Sequence, residues 1–569
     1  MQTTDRWYEN ATIYAVDVEA FADGDGDGVG DFAGLTDRLD YLEGLGVDCL
    51  WLLPFYPSPN RDNGYDVADY YGVDAQYGTL GDFVALVHAA RDRGIRVIVD
   101  LVVNHTSDQH PWFQRAREDP DSPYRDYYVW RADPPDDPDP ERGPVFPGEE
   151  ESVWSYDEAA EAFYYHRFYH FQPDLNLANE AVREEIRKVL EFWLQLGVSG
   201  FRVDAATLMI DNKGGLESTR LDDPHGVLRE LRRFVERRGD DAILLAEADD
   251  DPDHLADYFG DGDEMNVLLN FLLDAYLVAA LAEESATPIR TVLDLLPEIP
   301  AGGQWANFLR NYDELNVGRL PPEARRTVFD AFAPDEGMRI YGRGIRRRLA
   351  PMLDGDRDRI ELAYSLLYSL PGTPLVVYGD EIGMGEDLSL PGRNAVRTPM
   401  QWADEPNAGF SAADPDDLVR PVISGGEFGY ESVNVADQRG DPDSLLQWFS
   451  RLNRLRSECP EVGRGDCEVL SVEDPAVFAH RMTSDRGRVT AVHNLGADPT
   501  RATLALGSGP DHSTPTRLFG DAEFARVGGS GNGTSDASEA GAGDEAGAGE
   551  WRFDLGRYGY CWVRDGEAV

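Results

Sequence analysis

Short β-rich runs alternate with amphipathic helical stretches along most of this 569-residue chain, and no other feature limits the possible folds as tightly. ATIYAVDV (11–18) reads as a strand, and AGLTDRLDYLEGLG (33–46) as a helix closed by glycine. VDCLWLLP (47–54), a helix over 79–94 ending at Gly94, and IRVIVDLVV (95–103) repeat the unit. The pattern returns with helix EAVREEIRKVLEFWLQLG (180–197) and strands SGFRVDA (199–205) and AILLAEA (242–248). EMNVLLNF (264–271), QWANFLRN (304–311) and PLVVYGDEIG (374–383) complete eight strands. Parallel neighbours need a long crossover, usually a helix, so this alternation implies a parallel sheet. Eight units predict an α/β fold of the closed (β/α)8 TIM-barrel type, whose active site lies at the strand C-terminal ends.

The barrel pattern is interrupted once and then abandoned. Residues 1–105 form its first part and 179–461 its second. The intervening 106–178, rich in Pro, Asp, Tyr and Trp, is too long for a bare loop. It reads as an inserted domain after strand 3, lying over the barrel mouth. From 462 to 569 alternating strands such as AVFAHRM and RVTAVHNL predict a C-terminal antiparallel β-domain. Within it, 527–550 is low-complexity Gly, Ser, Ala and acid, and is expected to be a disordered loop.

Three carboxylates stand where a barrel enzyme carries its chemistry. Asp204 ends FRVD, Glu247 ends LLAE and Asp313 follows FLRN. With 106 acids in the chain, any one of them alone reads as a helix cap or a solvated loop acid. Three at barrel-strand ends form a set. Cleaving a glycosidic bond with retention needs two carboxyls about 5–5.5 Å apart, one attacking the anomeric carbon and one protonating the leaving oxygen. Glu247, preceded by AILLA, suits the acid/base, because an apolar setting raises a carboxyl pKa. Asp204 suits the nucleophile, since Arg202 lies two residues earlier on the same strand face and would keep it ionised. Asp313 suits binding of sugar hydroxyls near an oxocarbenium-like transition state.

Net charge restricts the partners. The count of 106 acids against 52 basic residues gives −54. Lys188 and Lys213 are the only lysines; the other basic residues are arginines. A surface this acidic repels nucleic acid and anionic membranes, both of which select basic patches. Self-repulsion at this charge is relieved by salt, since the Debye length falls to about 3 Å at 1 M, so a salty, halophilic cytoplasm is expected. The start, MQTTDRWYEN, has no charged-then-apolar leader, and no run of about 18 apolar residues offers a membrane span. A cytoplasmic enzyme is expected. Cys49, Cys459, Cys467 and Cys561 lack metal-type spacing and read as buried free thiols.

The loop DGDGDGVGDF (23–32) reads as a structural Ca2+ site, with no organic cofactor implied elsewhere. Asp23, Asp25, Asp27 and Asp31, with the Val29 carbonyl, offer hard oxygens at alternating positions. An EF-hand is excluded, because the twelfth position is Gly34 rather than Glu and a strand precedes the loop. A plain Asp-Gly turn is the alternative.

DLVVNH (100–105), GFRVDA (200–205), LLAEA (244–248) and FLRNYD (308–313) resemble, in order, the four signature segments of glycoside hydrolase family thirteen, the α-amylase family. QPDLN (172–176) is similar to a fifth, found in members acting on short α-glucosides. Further stretches, among them LDYLEGLGVDCLWLLPFYPSP, GIRRRLAPML and NAVRTPMQW, resemble the members that isomerise maltose and trehalose. The resemblance implies that Asp62 and Arg397 pair around the non-reducing glucose, that Tyr65 stacks on its ring, and that His105 and Arg202 line the same subsite. It agrees with the roles read for the three acids, and implies a small α-glucoside substrate: maltose, trehalose or a short malto-oligosaccharide. The expected reaction is isomerisation through a covalent glucosyl-enzyme on Asp204. An α-glucosidase or maltogenic hydrolase is the alternative, and a non-catalytic amylase-like binding protein a distant third. A second metal near Asn104 and Asp174 is possible by the same analogy. One position departs from the family: Tyr312 stands where it carries His before the third acid. The Tyr312 phenol can still donate to a sugar hydroxyl, so it is kept as a substrate-binding residue, but it is longer than an imidazole and neutral at working pH, which points to a retuned pocket.

Overall fold

The computed structural model describes residues 6–133, 143–146, 148–239, 241–506, 515–527 and 549–564. Eight parallel strands close into a barrel: β1 (Ile13–Val16), β2 (Cys49–Leu52), β3 (Arg96–Leu101), β4 (Gly200–Val203), β5 (Ile243–Ala246), β6 (Val267–Leu269), β7 (Gln304–Asn307) and β8 (Thr373–Val377). They follow one another around the ring in chain order, β8 closing on β1. This is the predicted fold. Every strand is shorter than the apolar run that announced it, because only part of each run pairs; β7 and β8 pair at the start of theirs, β8 from Thr373, one residue earlier. The flanking apolar residues continue into loops at the barrel ends.

The helices form the outer layer, and their ends follow the sequence signals. Helix Glu180–Leu196 starts on Asn179, whose side chain accepts the Ala181 N–H, and stops at Gly197 in the left-handed region. The run 33–46 is two helices rather than one, Phe32–Asp37 and Leu39–Leu45, broken at Arg38 and closed by left-handed Gly46.

Between β3 and β4, strands Trp130–Arg131, Trp154–Asp157 and Ala162–Tyr165 form a small antiparallel sheet with its own apolar cluster around Val129, Val153, Trp154 and Tyr165. Beyond Asp466 a five-stranded and a three-stranded antiparallel sheet enclose a second core that includes Val477, Val492, Leu504, Phe553 and Cys561. Most of the low-complexity stretch, residues 528–548, lies outside the described residues. All four cysteines are free thiols. Three are buried, but Cys467, on edge strand Asp466–Val469, is exposed, contrary to expectation, because that strand presents its side chains to solvent. Among the described residues no helix is long and apolar enough to cross a membrane.

Candidate active site

Strand register builds the floor of the site. Asp100 on β3 lies beside Arg202 on β4, and Arg202 beside Leu245 on β5. Asp204 and Glu247 are the first residues past β4 and β5, their backbone N–H groups still bonded to the Leu101 and Val203 carbonyls. Ala205 then takes a left-handed conformation (φ 46°) and leads into the short helix Ala206–Met209, whose Thr207 and Leu208 also line the pocket. For a residue with a Cβ this costs on the order of 1 kcal/mol, a strain that concentrates at functional sites.

One guanidinium links the acids. Arg202, 2% exposed, donates through Nη1 to Asp204 (2.5 Å) and Asp100 (2.7 Å), and through Nη2 to Glu247. Arg202 therefore serves three carboxylates and cannot neutralise Asp204 alone. Burial raises the Asp204 pKa to about 6; Arg202 opposes the rise and Asp100 adds to it. Arg202 thus acts in the direction expected of it, favouring the ionised form of Asp204, but burial outweighs it. Burial likewise pushes Glu247 up to about 7, against Arg202 and with help from Asp204 and Asp313.

Asp313 is not at a strand end. β7 stops at Asn307, and the acid sits six residues further along a loop. Its N–H donates to the Asn311 side chain (3.0 Å) and its carbonyl accepts from Arg310 (2.9 Å). Its carboxylate accepts from Arg393 (2.5 Å) and Arg397 (2.7 Å). Burial alone would raise its pKa, but Arg393, Arg397 and Arg202 outweigh burial and hold it below the ordinary value. Of the three acids, two are raised and one is lowered, so they cannot share a role.

These groups line a cavity of about 230 Å3 together with Asp62, Tyr65, His105, Phe146, Phe168 and Arg393. That is below the roughly 300–1,000 Å3 of a drug-sized ligand site, and it suits a short ligand. His105 is fixed between the Tyr65 carbonyl (3.2 Å) and Asn104 (3.3 Å), and burial lowers its pKa.

Two expected sugar-binding residues stand behind this surface rather than on it. The Tyr312 ring is wedged between Trp51, edge to face at 5.3 Å, and Tyr65, parallel at 6.4 Å, with the two phenol oxygens in contact. Tyr312 thus reaches the pocket through Tyr65. Arg397, 1% exposed, donates to the Tyr312 carbonyl (2.9 Å) and to Asp313, not to Asp62. Asp62 is held instead by Arg393 (3.0 Å) and Gln172 (2.9 Å). Arg393 therefore spans from Asp62 to Asp313 across one end of the pocket. Sequence reading missed it, though it lies four residues before Arg397. It also gave no role to Asp100, which begins a signature segment, or to Asp249 and Glu314 on the pocket wall.

At the predicted calcium loop, Asp23, Asp25 and Asp27 bring carboxylate oxygens within 4.8 Å of one another. Asp31 does not join them. Its carboxylate caps helix Phe32–Asp37, accepting from Gly34 (2.6 Å), Gly24 and Asp25. The Val29 N–H donates to Asp27 (2.9 Å). The second metal position holds an ammonium. Lys213 Nζ, 3% exposed, lies 2.7 Å from Asn104 Oδ1, 3.0 Å from its carbonyl and 2.8 Å from Asp174. Both groups named for a second metal, Asn104 and Asp174, are thus engaged by this ammonium.

The closed barrel, the signature acids on the loops after β4, β5 and β7 and the arginine between them place the chain in the α-amylase family: the alpha amylase catalytic domain matches residues 14–314 and 346–465. Among curated relatives, the trehalose synthase/amylase TreS of Mycobacterium tuberculosis is 44% identical over 529 residues, covering 92% of this chain and 87% of that one. Trehalose synthase of Pimelobacter sp. is 42% identical, covering 92% of each. Among solved structures, an α-amylase from H. orenii aligns with a TM-score of 0.75 at 28% identity, covering 98% and 99% of the two chains. The trehalulose synthase MutB aligns at 0.74 and 28%, covering 98% and 100%.

Proposed function

We propose that this enzyme isomerises maltose to trehalose by intramolecular glucosyl transfer. The observation that carries the reading is that Asp204 and Glu247 share one guanidinium at the floor of a small pocket whose end is spanned by Arg393. Identity of 42–44% to trehalose synthases supports it. Ionised Asp204 attacks the anomeric carbon of the non-reducing glucose. The bond to the bridging oxygen breaks as protonated Glu247 gives that oxygen its proton, and a glucosyl ester forms on Asp204. The freed glucose turns within the pocket. Its anomeric hydroxyl then attacks the ester, returns a proton to Glu247 and releases Asp204. Attack by water instead yields two glucoses, the hydrolytic side reaction. Asp313, kept ionised by Arg393 and Arg397, holds sugar hydroxyls and favours the positive charge of the transition state. Incubation with maltose followed by NMR tests this reading. Trehalose is expected as the main product, and glucose alone would leave the hydrolase.

The loop after β1 is assigned Ca2+ on the same footing. Asp23, Asp25 and Asp27 would hold the ion with the Val29 carbonyl, and its charge would offset three adjacent carboxylates. Added Ca2+ should then raise the unfolding temperature in a concentration-dependent way, and chelation should reverse the rise. An unfolding temperature indifferent to both would remove the assignment. A soluble, cytoplasmic, salt-adapted setting completes the proposal.

A further inference from the structure

The run Arg346–Arg347–Arg348, within GIRRRLAPML, touches neither the catalytic acids nor any wall of the pocket, yet nearly every donor of its three side chains has a fixed partner. Arg346 donates through Nε to the Gly337 carbonyl (2.9 Å), through Nη1 to those of Leu390 and Gly392 (both 3.0 Å), and through Nη2 to that of Leu388. Arg347 donates to the Glu386 carboxylate (2.8 Å) and to the carbonyls of Phe332 and Pro351 (both 3.0 Å). Arg348 gives its backbone N–H to Glu386 (3.0 Å), Nε to the Val396 carbonyl (3.1 Å) and Nη1 to the Tyr378 carbonyl (2.8 Å).

Five of these acceptors, Glu386, Leu388, Leu390, Gly392 and Val396, belong to one loop after β8. Two of them immediately precede the arginines that hold Asp313: Gly392 comes before Arg393, which lines the pocket, and Val396 before Arg397, which stands behind it. Gly392 is itself left-handed (φ 53°), so the chain bends where Arg393 leaves it. A loop has few repeating hydrogen bonds of its own, and here guanidinium donors take the place of a sheet partner. Arg393 must bridge Asp62 and Asp313, which come from loops after β2 and β7. Such a bridge demands that its own backbone be fixed to within a fraction of an ångström.

We propose that this arginine run is a positioning clamp for the loop 386–397, and that Arg346 sets how firmly the pocket retains the glucose freed in the first half-reaction. The proposal rests on the isomerase reading. Arg346 is the member to test, because it holds three carbonyls around the bend and is only partly buried.

Arg346→Met removes the fork, and Arg346→Lys keeps the charge without the fork geometry. With maltose as substrate, NMR gives the glucose-to-trehalose ratio, and kinetics give KM and kcat. In Arg346→Met all four bonds are lost, but the pocket feels them only through Arg393, so both the ratio and KM should rise on the order of tenfold, the scale of one charge-assisted hydrogen bond. Arg346→Lys should fall between it and the wild type. In an Arg393→Met background the added Arg346→Met should change neither value further, since both act through one group. A purely structural stitch would lower thermal stability without this non-additivity. A folded Arg346→Met with unchanged ratio and KM, or fully additive effects in the double variant, overturns the clamp. If Arg346→Met does not fold, Arg346→Lys carries the same test. If the wild type makes glucose but no trehalose, the isomerase reading falls, and the clamp then stands or falls on KM for maltose and its non-additivity with Arg393→Met.

Discussion

At the scale of single residues the account turns on two carboxyls that differ in task, not in type. Asp204 must be ionised to attack and Glu247 protonated to donate. Their raised values, about 6 and about 7, set the sign of the pH dependence. Below about 6 the nucleophile is lost by protonation, and above about 7 the acid is lost by ionisation. The profile of kcat/KM should therefore be a narrow bell, its limbs belonging to the pair rather than to either acid. Glu247→Gln should lower turnover of maltose roughly 10^2- to 10^4-fold and abolish the alkaline limb. A profile flat across roughly pH 5 to 9 would remove these two acids from the mechanism. The acids themselves were legible in sequence because each ends or follows an apolar run. The arginines were less so. The charge of Arg202 looked dedicated to Asp204 until strand register set Asp100 beside it and folding brought Glu247 to its other amino group. Arg393 had no signal beyond its nearness to Arg397, since what gives it a place is the meeting of three loops distant in sequence.

At the scale of elements, alternation was enough to give the barrel, because eight apolar runs separated by amphipathic helices have few other ways to pack. Strand ends were not given by it. The run 304–311 reads as one strand, but pairing stops at Asn307, and the following residues bend out to carry Asp313. The joint between the small antiparallel sheet and the barrel is likewise invisible in composition. It centres on Lys213, which ties Asn104 after β3 to Asp174 beside the returning chain. Lys213→Met should leave the Asp174 carboxylate buried without its ion-pair partner. Losing one partner of a buried pair costs on the order of 3–5 kcal/mol, so a large drop in unfolding temperature is expected by calorimetry. A drop no larger than that of an average surface substitution would mean that the pair is dispensable.

At the scale of the whole molecule the net charge of −54 dominates. Like charges held on one compact surface destabilise it, and counter-ions at molar salt shorten their reach to about 3 Å. Unfolding temperature and activity should both rise from dilute buffer to molar salt, followed by circular dichroism and by maltose turnover. Full stability in dilute buffer would contradict the salt-adapted reading. Charge does not choose the reaction, however; the pocket does. The central claim is that glucose released from maltose stays inside until it is rejoined. Unlabelled maltose mixed with an excess of isotope-labelled free glucose tests this most directly, with the trehalose formed analysed by mass spectrometry. The account predicts trehalose almost free of label, because the acceptor never leaves. Trehalose labelled in proportion to the glucose in solution would contradict it, and would make the enzyme an open transglucosylase instead.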